Sequence, residues 1–176
     1  NTVYVSSMGP AIYAMDLSSH ERRWAFSGRR NLKRSLAVSG DALYVPELVR
    51  ASEGSFLYKL DKRTGEVLWD LPYKHYGPVM LHGRWIISRY RACSLLSGSP
   101  KLRRNPLTNE PTEWRFQKMY GCGTVVAAMN LLTFRSAAAG FYDLLTDGGT
   151  GNLGGFRSGC TSNLIIADGV LNAPDY

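Results

Sequence analysis

Thiols and imidazoles are scarce in this sequence. It has three cysteines, Cys93, Cys122 and Cys160, and three histidines. No cysteine stands in a Cys-x-x-Cys or Cys/His spacing, which argues against a zinc site. The odd count leaves at least one thiol unpaired within the chain, so redox compartment is only weakly constrained. No apolar run approaches the ~20 residues that a membrane-spanning helix needs. Low-complexity blocks are missing too. The start at "NTVYVSS" is already strand-like and shows no signal peptide, which fits a mature product or an excised piece.

What is present suits one globular domain. A chain of 176 residues with 44% hydrophobic and 20% charged residues can bury a substantial core. Eighteen glycines and ten tyrosines favour many short strands joined by turns over long helices. The formal net charge of +7 is open to two readings. One is a solvated basic surface; the other is attraction to nucleic acid, anionic lipid or acidic polymers.

A period runs along the chain. Trp24, Trp69 and Trp114 are 45 residues apart, twice over, and open the segments "WAF", "WDL" and "WRF". Apolar β runs precede them: "TVYV" at 2–5, "ALYV" at 42–45 and "RWIIS" at 84–88. "LLTF" at 131–134 and "GVLNA" at 169–173 continue the series. Starts about 40–46 residues apart match the spacing of WD-like propeller blades with four strands each. The expected fold class is therefore an all-β propeller of about four blades, as a single or partial domain over 1–176. Its approximate blades are 1–34, 35–76, 77–120 and 121–160, with the start of another at 161–176. The alternative is a β-sandwich with three coincidentally spaced tryptophans. Alternation and turn signals give the second blade the strands "SLAVS", "ALYVP", "SFLYKLD" and "EVLWDLP". The third carries a long insertion, "GSPKLRRNPLTNEP", before "TEWRF".

Asp61, Thr64, Gly65 and Trp69 resemble the blade signature of pyrroloquinoline-quinone (PQQ) repeat propellers, roughly Ala-x-Asp-x-x-Thr-Gly-x-x-x-Trp. Ala14, Asp16 and Trp24 fit it in the first blade, with Ser19 for threonine and His20 departing from glycine. The third blade keeps Ala92, Ser97, Gly98 and, after the insertion, Trp114; the fourth keeps Asp143 and Thr146. The parts have a physical logic. Thr-Gly closes a tight hairpin in which glycine tolerates positive φ. Asp61 can bind the turn amides, and Trp69 can pack on a neighbouring turn with its N–H seeking a carbonyl.

Function is expected at the opposite strand ends. Loops there gather Arg29, Arg30, Lys33, Arg34, Lys74, His75, Tyr76, Arg89, Tyr120, Arg135 and Arg157. Arginine with tyrosine suits carboxylates, phosphates or sugar rings; a solvated charged rim is the plain alternative. Cys122 and Cys160 hold equivalent places in consecutive blades. A disulfide between them is one reading, and two buried thiols or pairing with flanking chain are the others. Cys93 reads as core packing.

The resemblance implies two kinds of function. Quinoprotein dehydrogenases of the superfamily use PQQ with calcium, a catalytic aspartate and an adjacent-cysteine disulfide ring. This sequence has no Cys-Cys pair and no convincing calcium set. The expectation is thus a non-enzymatic module, closer to the assembly-factor branch, with no cofactor and no metal. It would bind a protein or glycan, or further blades of its own or another chain, through the loop face. Part of a PQQ- and calcium-binding oxidoreductase is the alternative, and binding of nucleic acid or another anionic polymer is a third, weaker reading. The resemblance also implies a periplasmic or extracellular bacterial location.

Overall fold

A computed structural model describes residues 1–7, 9–30, 32, 35–47, 56–72, 78–88 and 90–174. Among these there is no helix. Every strand pairs antiparallel with its sequence neighbour, so short turns suffice as connections.

The first sheet holds β1 (Thr2–Ser6), β2 (Ala11–Asp16) and β3 (Arg22–Ser27). The second holds β4 (Ala37–Ser39), β5 (Ala42–Pro46), β6 (Phe56–Asp61) and β7 (Val67–Pro72), in that order. Next come β8 (Met80–His82), β9 (Trp85–Ser88) and β10 (Arg91–Ser94), followed by the hairpin β11 (Leu102–Arg104) and β12 (Pro111–Glu113). A four-stranded sheet follows: β13 (Val126–Ala127), β14 (Leu131–Ser136), β15 (Ala138–Asp143) and β16 (Thr150–Asn152). β17 (Ile165–Ala167) and β18 (Val170–Asn172) close the order. The strands expected in the second blade match β4 to β7 closely.

Burial follows position within each sheet. All five residues of β5 are buried, as are five of the six in β14. Such strands are covered on both faces and therefore read as continuous apolar runs, "ALYVP" and "LLTF". Edge strands alternate instead: β3 buries Trp24 but exposes both Arg23 and Ala25.

The insertion in the third blade is itself ordered. Residues 100 and 115 bridge back to Cys93 and Arg91 of β10, and β11–β12 extend beyond as a hairpin. Its turn copies the signature in other letters. Asn105 Oδ1 accepts from the amides of Leu107 (2.9 Å) and Thr108 (3.4 Å). Asp61 Oδ1 does the same for Arg63 (2.7 Å) and Thr64 (2.9 Å).

The chain divides into two compact units: Asn1–Leu81 with Leu95–Gly98, and His82–Ser94 with Ser99–Tyr176. In the first, Ile12, Ala14, Trp24, Leu43, Val45, Tyr58 and Leu60 form the core. In the second, Trp114, Phe116, Phe134 and Tyr142 pack ring against ring, with centroids 5.3 to 5.7 Å apart.

Candidate functional site

The signature turns show first what is structural. Four positions after each leading polar residue stand His20, Gly65, Gly98, Asn109 and Asp147, all with φ between 55° and 77°. Asp16, Asp61 and Asp143 each accept two turn amides, and these bonds hold the three carboxyls below the ordinary aspartate value. For Asp16 the Arg23 guanidinium is the largest cause, and for Asp143 the Thr146 hydroxyl. Tryptophans dock on these turns. Trp24 Nε1 donates to Lys62 O (3.2 Å), and Trp69 Nε1 donates to Leu96 O (2.9 Å). Gly65 lies so close under Trp24 that a Cβ there would sit 2.7 Å from the indole.

The opposite strand ends carry the residues expected to bind. In the first unit, Glu47 is fully buried just past β5 and organises them. Its carboxylate accepts from Arg30 N (3.1 Å), Phe56 N (3.0 Å) and Tyr58 Oη (2.6 Å). Burial, then that carboxylate, push the Tyr58 hydroxyl up to about 12. Arg29 pairs with Asp70 at 2.6 Å and lies 3.8 Å from the centre of the Phe56 ring. The Arg29 side chain is thus anchored locally. Lys33, Arg34, Lys74, His75, Tyr76 and Arg89 lie outside the described residues.

In the second unit, the loops before β13 and after β16 flank the β14–β15 hairpin. Ala137 N donates to Tyr120 O (2.6 Å), and Ala139 N donates to Phe156 O (2.8 Å). This brings Tyr120 and Arg157 to one hairpin tip, both exposed, with Met119 and Phe156 beside them. Tyr120 is 83% exposed and Met119 71%, which is unusual for large apolar groups on one tip. Arg135 differs from its neighbours: it is only 7% exposed. Its Nη1 donates to Ser158 O (3.3 Å) and Cys160 Sγ (3.5 Å), and its backbone carbonyl presses against Gly121.

Cys122 and Cys160 are adjacent free thiols. A hydrogen bond between them raises Cys122 and lowers Cys160, and Arg135 lowers Cys160 further. Cys93 is 1% exposed, and burial pushes its thiol up to about 12. Among the described residues no three His, Cys, Asp or Glu side chains gather.

No family model matches the sequence, and no curated protein does either. Solved structures do. BamB from Moraxella catarrhalis aligns over 85% of this chain and 48% of its own, at 15% identity and a TM-score of 0.58. The computationally designed Ika8 protein aligns over 82% of this chain and 43% of its own, at 12% identity and 0.52. The fold is a β-propeller. A europium-containing methanol dehydrogenase also aligns, over 56% of this chain and 22% of its own, at 18% identity and a TM-score of 0.47, a likeness too slight to bear on the fold. The chain spans less than half the length of each of these proteins. The roles of Glu47, Asp147 and the Asn105 turn escaped the sequence reading.

Proposed function

We propose that this propeller is a non-enzymatic binding module that engages a protein or glycan partner through the strand ends opposite its signature turns. The observation that carries the reading is the hairpin tip of the second unit. There Met119, Tyr120 and Phe156 expose apolar surface beside Arg157, while Arg135 is committed below them to Ser158 and Cys160. Exposed aromatic residues with arginine are the residue types that dominate binding energy at protein interfaces, and aromatics equally stack on sugar rings. A periplasmic or extracellular location goes with this reading and rests on the resemblance of the signature. Among the described residues no helix is long and apolar enough to cross a membrane.

A displayed random-peptide library and a glycan array test the proposal, each screened against the wild type and Tyr120→Ser/Arg157→Glu. Ligands held by the wild type and lost by the variant support it. Ligands insensitive to the variant, or a saturable absorbance or melting shift on adding PQQ with Ca²⁺, overturn it.

A further inference from the structure

Three tryptophans dock on signature turns, but only Trp24 and Trp69 have a tyrosine in register two strands away; Trp114 instead meets Tyr142 of β15 edge-on, at 5.3 Å between centroids. In the first sheet Tyr4 faces Ala14, which faces Trp24. In the second, Tyr44 faces Lys59, which faces Trp69. Each phenol packs on its indole, with centroids 5.8 and 6.2 Å apart. Each hydroxyl donates to the turn carbonyl that follows the leading polar residue: Tyr4 to Lys62 O at 2.9 Å and Tyr44 to Leu95 O at 3.2 Å.

The same register in the third sheet places Ile87 opposite Ala92. Isoleucine supplies neither ring nor hydroxyl. A cavity of about 310 Å³ opens where the phenol would be, with Ile87, Ala92, Trp114 and Leu144 among its walls. Leu144 follows Asp143 as Lys62 follows Asp61, so its carbonyl is the counterpart of the tyrosine acceptors. Trp114 leaves that counterpart alone, because its N–H donates to Asp147 Oδ1 at 2.5 Å.

The rest of the cavity wall is aromatic and cationic. Lys101 Nζ lies 4.4 Å from the Trp114 ring centre and 5.8 Å from that of Trp85. Arg84 covers Trp85 at 5.1 Å. No carboxylate is among the described side chains lining the cavity. Asp147 acts on Lys101 from nearby, but it is engaged by Trp114 and Tyr142. Burial of Lys101 disfavours its charged form, a cost that an anion brought against it would offset.

We infer that this cavity is a binding site for a small phenolic carboxylate, whose ring takes the place of the missing tyrosine and whose carboxylate meets Lys101 and Arg84. The site lies on the signature-turn side of the second unit and is independent of the loop-end surface.

The test is titration with 4-hydroxyphenylacetate, followed by the Trp85 and Trp114 indole N–H resonances. The expected result is saturable movement of both, with roughly tenfold weaker binding of uncharged p-cresol. Cationic tyramine should bind more weakly still. Ile87→Tyr and Ile87→Phe, each checked for cooperative melting, should abolish binding by filling the cavity. Lys101→Met should erase the preference for the carboxylate while leaving p-cresol unchanged. Indole resonances unmoved at millimolar 4-hydroxyphenylacetate, tyramine binding as well as the acid, or undiminished binding by a folded Ile87 variant would overturn the assignment.

Discussion

The docked tryptophans of the first unit and that of the second solve one packing problem in two ways. At Trp24 the turn offers glycine, Gly65, against the ring and a backbone carbonyl to the N–H. At Trp114 the turn offers Asp147, and a carboxylate replaces the carbonyl. Both residues adopt positive φ, 77° for Gly65 and 55° for Asp147. Aspartate tolerates that region better than most residues, because its short polar side chain can bond locally. The difference shows which feature the signature requires. Backbone conformation at this position is constant, whereas glycine is needed only where a side chain lies directly on it, the Trp24 indole on Gly65 and Leu71 on Gly98. The aspartate also receives the Tyr142 hydroxyl, so the third docking is knitted into the core. Trp114 is accordingly fully buried, while Trp69 is only half-buried.

The largest expected effect separates those two rings. Trp114→Ala should cost about 3–5 kcal/mol in denaturant unfolding, since it empties a fully buried site and takes the indole donor from Asp147. Trp69→Ala should cost visibly less; equal losses would erase the contrast.

Next comes the glycine requirement. Gly65→Ala forces a Cβ to 2.7 Å from Trp24 at a φ of 77° and should cost roughly 2–4 kcal/mol. Gly40 has a φ of 56° but open space around it, so Gly40→Ala should show only the backbone penalty of about 1 kcal/mol. Thermal melts of the two variants distinguish ring contact from φ alone.

A smaller effect concerns acid. The Asp61 carboxyl is held below its ordinary value of 3.8, chiefly by the Thr64 and Arg63 amides. Its contribution is therefore complete above that value and lost as pH falls through the lower folded-state value. Asp61→Asn should flatten part of the stability slope below about pH 4, as the Asn105 turn forms without any charge. A slope identical to the wild type would show that this carboxylate is not coupled to folding.

The smallest effect is one of reactivity. In reduced native protein, alkylation should label Cys160 first, because its lowered pKa gives more thiolate, and leave Cys93 untouched until unfolding. Peptide mass analysis checks the order. In protein never reduced, labels on both Cys122 and Cys160 would remove the disulfide reading.

Much of the frame was legible in the sequence because repetition exposes it. Trp24, Trp69 and Trp114, together with "KLDKRTGEVLW", located the turns, and alternation located β4 to β7. Recognition failed where chemistry was kept and letters changed. Asn105 and Asn109 do the work of aspartate and glycine, so the third-blade hairpin passed for a plain insertion. The contrast of "TVYV" and "ALYV" with "RWIIS" already held the missing tyrosine, but a gap shows only when register assigns Ile87 its place. Arg135 was grouped with solvent-facing cations because a loop-end arginine gives no local sign of burial. Only the fold brings Ser158 and Cys160 to it.

Hydrogen exchange of the tryptophan indole N–H groups, in the wild type and in Asp147→Gly, reads the Trp114–Asp147 bond itself. The slowest exchange is expected at Trp114, with Trp24 and Trp69 behind it. Asp147→Gly should release Trp114 alone, by roughly ten- to a hundredfold for the loss of one buried hydrogen bond. Exchange at Trp114 that is fast in the wild type, or unchanged by Asp147→Gly, would contradict the Trp114–Asp147 docking.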